Sequence, residues 1–198
     1  MLVDWLERLR DAFLASDEGS SFARVRGERE AGWDLVKMAE CGWDLFGITP
    51  ATMTTAILEH ILVAYFPENV TFREDWEAGQ VVPELRAFWQ WAGRTHGLDG
   101  TGEMLARLDE LEADLPGRIN DPALFGPEKA FLTEGFRAGY DMTDPAQCDA
   151  FSETYDEWLP GQRTGAPPPP GVATKRQAAK AKQKRKMQTA SRKRNRRK

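Results

Sequence analysis

The sequence has little cysteine: only Cys41 and Cys148 occur in 198 residues. No C-x-x-C pair exists, which excludes a zinc ribbon or a thioredoxin-like redox site. Two isolated cysteines fit a reducing compartment, where each is expected as a small buried hydrophobe, and a single disulfide between them stays open. Histidine is as scarce, with His60 and His96 alone. Neither E-x-x-H nor H-E-x-x-H is present, so only a carboxylate metal site is left and nothing specifies one. No metal ligand, cofactor or catalytic residue is assigned. Gly-rich phosphate loops, the Walker sequence and the Gly-x-Ser-x-Gly elbow are also missing.

Long apolar runs are missing too. None approaches the roughly 18 residues of a membrane span. The longest, Ile57 to Phe66, is interrupted by Glu59-His60. The start, Met1-Leu2-Val3-Asp4-Trp5, lacks a basic region and a continuous apolar stretch, so it does not read as a signal peptide. The expectation is a soluble cytoplasmic protein.

The last 24 residues lack acid altogether. Lys175 to Lys198 hold 13 Lys and Arg, so the 174 residues before them hold 14 bases against all 31 acids, a net of −17. The overall charge of −4 therefore describes neither part. An acidic domain at 1–163, a Pro-rich linker at 164–174 and a basic tail at 175–198 follow from this division. Pro167 to Pro170 favour an extended polyproline spacer. The tail's only apolar side chains are four alanines and Met187, too few to offset the entropy of ordering, so it is expected to be disordered alone.

Helical periodicity dominates what is there, and no period-2 strand run is convincing. Leu2, Trp5, Leu6, Leu9 and Phe13 lie on one helical face. Ser16 to Ser21 reads as a break. A helix is expected over Glu28 to Phe46, with Trp33, Val36, Ala39, Trp43 and Phe46 along one side and Gly47 at its end. Thr49-Pro50 reads as cap and first residue of a largely apolar central helix. That helix is expected to stop at Pro67.

Asn69 to Gly79 reads as a connection anchored by Phe72 and Trp76. Val81 to His96 reads as a helix with the stripe Leu85, Phe88, Trp89, Ala92. Met104, Leu105, Leu108, Leu111 and Leu115 mark another after Thr101, kinked or ended at Pro116-Gly117. Gly126-Pro127 and Asp144-Pro145 open two more, the last carrying Cys148, Phe151, Tyr155, Trp158 and Leu159 and closing at Pro160-Gly161. The fold class is all-α: a compact bundle of about six or seven helices, its core filled by seven Trp and ten Phe.

An ordered series of segments carries a resemblance. It runs Ser16-Asp17-Glu18-Gly19, Gly32-Trp33, Met53-Thr54, Phe66-Pro67, Val70-Thr71 and Glu84-Leu85-Arg86-Ala87-Phe88-Trp89. Asn120-Asp121-Pro122, Phe125-Gly126-Pro127-Glu128-Lys129-Ala130-Phe131 and Ala138-Gly139-Tyr140-Asp141-Met142-Thr143 complete it. From about Phe13 to Trp158 the chain resembles a family of uncharacterised bacterial all-helical proteins. The resemblance implies the helical fold and a bacterial origin, and no activity. Some relatives carry a short cysteine-rich metal motif that this chain lacks, so metal binding is not implied.

Four places in the body bear chemistry. Glu59-His60 offers a base, but adjacent helical residues point about 100° apart and do not face each other, which favours a structural His60. His96 precedes Gly97 at a helix end, where a cation suits the dipole. Gly126-Pro127-Glu128-Lys129 has the form of an anion-binding helix start, yet Glu128 already complements the dipole and repels an anion. Trp91 falls off its helix's stripe and either packs on another element or marks a partner surface.

The tail is the strongest signal. Its cations are Lys175, Arg176, Lys180, Lys182, Lys184, Arg185, Lys186, Arg192, Lys193, Arg194, Arg196, Arg197 and Lys198. Such density suits polyanion binding by counterion release. Like charges at Lys180/Lys184 and Lys182/Lys186 oppose a helix until phosphates neutralise them. Without an aromatic residue the tail cannot stack on bases, so contact through the backbone is expected, with RNA or the ribosome ahead of specific DNA.

The leading expectation is a non-enzymatic helical protein whose tail binds nucleic acid and whose acidic body offers a face to a protein partner. A regulatory module whose tail docks on its own body, and an enzyme with a carboxylate/His site, are the alternatives.

Overall fold

A computed structural model of the chain describes residues 2–26 and 31–155. The expected linker at 164–174, the basic tail at 175–198, the helix end at Trp158 to Gly161 and the stretch 27–30 lie outside the described residues. The chain divides into two compact units, 1–130 and 131–198. Among the described residues there are helices and turns and no strand, so the all-α expectation holds.

The first unit opens with α1 (Leu2–Leu14) and α2 (Asp17–Arg26). The expected break at Ser16 to Ser21 is in fact a helix start. Ser16 Oγ accepts from Gly19 N–H at 3.1 Å and donates to Phe13 O at 2.6 Å, so one side chain closes α1 and opens α2. Gly19 is fixed by this corner: a Cβ there would lie 2.1 Å from Phe13 O.

Helix α3 (Trp33–Phe46) is continuous through Gly42. Its buried side is Leu35, Met38, Ala39, Cys41 and Gly42. The expected apolar stripe is therefore corrected: Trp33, Trp43 and Phe46 lie on the exposed side, and of that stripe only Ala39 is buried. Gly47 ends the helix with φ 67°, a left-handed conformation that glycine adopts without penalty.

Thr49-Pro50 opens a 3-10 turn, Pro50–Thr52, and not the long helix. That helix starts at α4 (Thr55–His60), where Thr54 Oγ1 accepts from Ile57 N–H. It also does not stop at Pro67. It passes through a π turn (Ile61–Tyr65) into α5 (Phe66–Asn69), and Phe66 keeps helical angles of −60° and −48°. In the π turn Phe66 N–H reaches back to Ile61 O, which loosens the backbone ladder ahead of the proline ring. Pro67 has no N–H for Val63 O, and Arg118 Nε supplies the missing donor at 2.7 Å.

A 3-10 stretch, Asp75–Gln80, leads into α6 (Val81–His96), whose bounds match the expectation. Of the two expected anchors, Phe72 packs edge-on to Trp33 at 5.5 Å, whereas Trp76 is 57% exposed and anchors nothing. Helix α6 is the core element. It packs on α2, α3 and α7 (Thr101–Leu111) and buries Val81, Val82, Leu85, Phe88, Trp89, Trp91 and Ala92. Phe13 from α1 lies edge-on to Phe88 at 6.0 Å, and α4 with the π turn contributes Leu58, Ile61 and Leu62. Each such side chain stabilises the fold by about 1.5–3 kcal/mol on burial.

Helix α8 (Leu115–Ile119) carries Pro116 in its first turn, where proline is tolerated, and a 3-10 turn (Pro122–Leu124) follows. Helix α9 (Pro127–Arg137) then runs across the division between the units. In the second unit, α10 (Pro145–Tyr155) follows a turn at Gly139, whose φ is 84°. Phe151 is fully buried there, with Phe131, Tyr140 and Tyr155 around it at ring distances of 5.1, 5.2 and 5.4 Å.

Candidate functional site

The thirteen tail cations lie outside the described residues. Within them, the larger cations are held in place by other groups. Arg94 meets Glu18 with two parallel bonds of 2.8 Å. Arg86 bridges Asp109 at 2.8 Å and Glu112 at 2.7 Å. Arg107 holds Glu59 at 2.5 Å and also pairs with Glu110, and Lys37 holds Glu40 at 2.5 Å. The pKa values follow. The bond from Arg94 brings Glu18 down to about 2, and Arg86 lowers Glu112. Arg107 is raised by Glu59 first and Glu110 second.

Lys129 is different: it is 2% exposed and meets no carboxylate within hydrogen-bond distance among the described residues. Its ammonium donates to Ile119 O at 2.7 Å and Phe66 O at 3.1 Å, and sits 4.5 Å from the Phe125 ring centre. Burial pushes its pKa down to about 8. Gly126 N–H meanwhile donates to Glu68 O at 2.9 Å. Lysine and glycine at this helix start are thus both engaged within the protein, in line with a plain helix start.

The sequence candidates Glu59 and His60 are not brought together. Glu59 faces Arg107, while His60 is exposed with its ring edge-on to Phe46 at 5.7 Å. His96 is also exposed and lies edge-on to Trp91 at 5.1 Å. Trp91 itself is 5% exposed, packed on Phe13 and Phe88, so its off-stripe position marks a second contact face of α6. Cys41 and Cys148 are both free thiols. Burial pushes Cys41 up to about 12.

Two features escaped the sequence reading. One is the exposure of large apolar side chains on α3: Trp33, Trp43, Leu45 and Phe46 are between 37% and 46% exposed. A helical pattern alone cannot say which of two apolar faces turns inward. The other is a cleft of ≈310 Å³ lined by Trp5 and Leu9 of α1, Pro50, and Phe88, Trp91 and His96 of α6, among others. Neither Glu59 nor His60 borders it. A second, wider cleft involves Arg10 and Arg24. There Arg10 Nε donates to Ala31 O, and Arg24 donates to Ser20 O and Ser21 Oγ.

Among the described residues no group of three or more His, Cys, Asp or Glu is arranged to hold a metal ion. No helix among them is long and apolar enough to cross a membrane. No protein-family model matches the chain, and no curated protein or solved structure matches it.

Proposed function

We propose that this chain is a non-enzymatic binding protein. Its basic segment, Lys175 to Lys198, takes the phosphate backbone of nucleic acid, RNA or the ribosome ahead of specific DNA. The acidic body offers an apolar face to a protein partner. The observation that carries the first part is the division of charge: 13 cations and no acid in the last 24 residues, against −17 before them. The pairing of Arg86, Arg94, Arg107 and Lys37 with carboxylates supports the same reading. A polyanion would have to displace those partners to use the body's cations. The exposed Trp43 and Phe46 near the end of α3 support the second part, because large apolar side chains at the surface suit contact with another protein. The resemblance to bacterial helical proteins adds a bacterial setting to this proposal and no activity.

The test compares the full chain with a variant whose thirteen tail cations are glutamine, binding labelled single-stranded RNA and duplex DNA. The parent is expected to bind both with little sequence preference, and the variant to lose binding while keeping its helical signal. Contact with about six phosphates would lower the parent's affinity by about 10²–10³ between 50 and 200 mM salt. Equal binding by the two chains at 100 mM salt would overturn the proposal.

A further inference from the structure

We propose that the cleft between α1 and α2 is a binding site for a small organic phosphate monoester, whose phosphoryl group is held by Arg10 and Arg24. The lining carries the first argument. Arg10, Leu14, Ser20, Ala23 and Arg24 surround a space of ≈620 Å³, with two guanidinium groups and no carboxylate among them. This charge runs against the body around it, which is −17 over residues 1–174. A cleft lined by one sign of charge concentrates ligands of the other.

The state of the two arginines carries the second argument. Arg86, Arg94 and Arg107 each meet a carboxylate. Arg24 instead donates to neutral oxygens, from Nε to Ser20 O at 3.3 Å and from Nη2 to Ser21 Oγ at 3.2 Å. It meets no carboxylate among the described residues, and the N–H groups of Nη1 stay available. Glu18, on the same helix, is taken up by Arg94. Arg10 is placed from the other side of the cleft. Its Nε donates to Ala31 O at 2.9 Å, and its stem lies over Gly32, where a Cβ would come within 2.6 Å of Arg10 Cγ. A guanidinium fixed in this way loses little freedom when a ligand arrives.

Size and chemistry carry the third. The volume lies within the range of about 300–1,000 Å³ for small-ligand sites. Leu14 and Ala23 give a short apolar wall for the organic part. A phosphate monoester brings a charge of about −1.5 to −2 at pH 7 and three acceptor oxygens, which guanidinium groups from two helices can share. A carboxylate brings a single charge and one pair of oxygens, and one arginine fork satisfies it. The phosphodiester of a nucleic-acid backbone has a single charge per phosphate and suits the tail instead. This inference does not depend on nucleic-acid binding by the tail.

The test titrates phenyl phosphate into the full chain, and into the full-length variant whose thirteen tail cations are glutamine, by calorimetry at about 20 mM salt, where screening is weak. The second chain removes any phosphate contact made by the tail. Saturable binding with a midpoint below about 1 mM is expected in both. Benzoate and phenol should each bind at least about tenfold more weakly. Arg24→Gln should weaken binding of phenyl phosphate at least about tenfold, and Arg24→Lys, which keeps the charge and loses the fork, about threefold. Arg10→Gln should weaken it as much as Arg24→Gln. Arg24 is exposed and bonded only within α2, so its variants should keep the parent's helical signal.

Four results would overturn the inference: no saturation, loss of binding in the tail variant, equal affinity for benzoate or phenol, or parent-like binding by Arg24→Gln. The last decides the matter even if Arg10→Gln fails to fold.

Discussion

The carboxylate of Glu84 and the N–H of Leu35, 49 residues apart in sequence, meet at 2.8 Å in the buried interior of the first unit. The second oxygen of Glu84 accepts from Gly32 N–H at 3.1 Å. Helix α3 begins on Gly32 in a left-handed conformation and has no side-chain cap of its own. A side chain from α6 therefore performs that role across the core. Glu84 is wholly buried, and both of its oxygens accept from the backbone groups that most need an acceptor.

Glu84→Gln should expose the value of this cap. It replaces one oxygen by an amide donor facing an N–H, at an expected loss of about 2–4 kcal/mol. Urea unfolding followed by circular dichroism measures it. A loss below about 0.5 kcal/mol would mean that α3 is positioned by its packing alone.

Lys129 predicts a pH dependence with a definite sign. Its pKa falls from an ordinary 10.5 to about 8 on folding, so between those values the unfolded chain binds more protons than the folded one. Stability relative to Lys129→Met should rise as pH climbs from about 8 to about 10.5, and the difference should be flat below 8. At neutral pH the Met variant should be less stable by about 1–3 kcal/mol, because the Ile119 carbonyl loses its ammonium donor. Thermal melts of both proteins from pH 6 to 11 test the slope and its window.

The two thiols should differ in reactivity. With a pKa near 12, Cys41 has about one part in 10⁴ of thiolate at pH 8. Cys148 is half-buried and donates to Met142 O at 3.0 Å. Iodoacetamide at pH 8 should therefore modify Cys148 at least about a hundredfold faster than Cys41 in the folded protein. In denaturant the rates should converge, and peptide mass spectrometry reads both sites. Comparable labelling of the two thiols in the folded protein would contradict the burial of Cys41.

Gly19→Ala should be costly, although alanine is the better helix former. The new Cβ would fall 2.1 Å from Phe13 O and 2.9 Å from Leu14 Cα, and backbone cannot swing aside as a side-chain tip does. A loss of about 2–4 kcal/mol is expected. A Tm within 2 °C of the parent, by calorimetry, would show that the corner between α1 and α2 relaxes freely.

The all-helical class was legible because most helices announce themselves locally. The stripe Leu85, Phe88, Trp89, Ala92 and the terminal Gly97 gave α6 its bounds. The run from Met104 to Leu108 marked α7 in the same way. What was not legible depends on remote partners. Trp33, Trp43 and Phe46 have the spacing of a core stripe, but α6 lies on the other side of α3, so Leu35 and Met38 are buried instead. Ser16 looked like a loop residue because its partners, the acceptor Phe13 O and the donor Gly19 N–H, come into reach only once the corner has formed. Nothing in the sequence marks Glu84 and Lys129 as buried, since no pattern tells that buried backbone groups far away will face them.

The candidate site divides the same way. The unlikely pairing of Glu59 with His60 followed from helical geometry alone, and the structure turns the two side chains to different neighbours. Trp91's second contact face was visible as an off-stripe aromatic. The cleft it helps to line was not, because Trp5, Pro50 and His96 come from three separate elements.

The π turn at Ile61–Tyr65 has a consequence for how this chain tolerates changes in length. One extra residue in a helical turn delays everything beyond it by roughly 100° of rotation. Leu58 before the turn, Ile61 and Leu62 at its start, and Phe66 and Val70 after it are all buried in the core with that delay in place. Removing a single residue from the turn would restore an ordinary ladder and carry one half of the helix out of phase with the other. Either the leucines or the phenylalanine would then face water. A one-residue deletion here should damage the fold more than many substitutions.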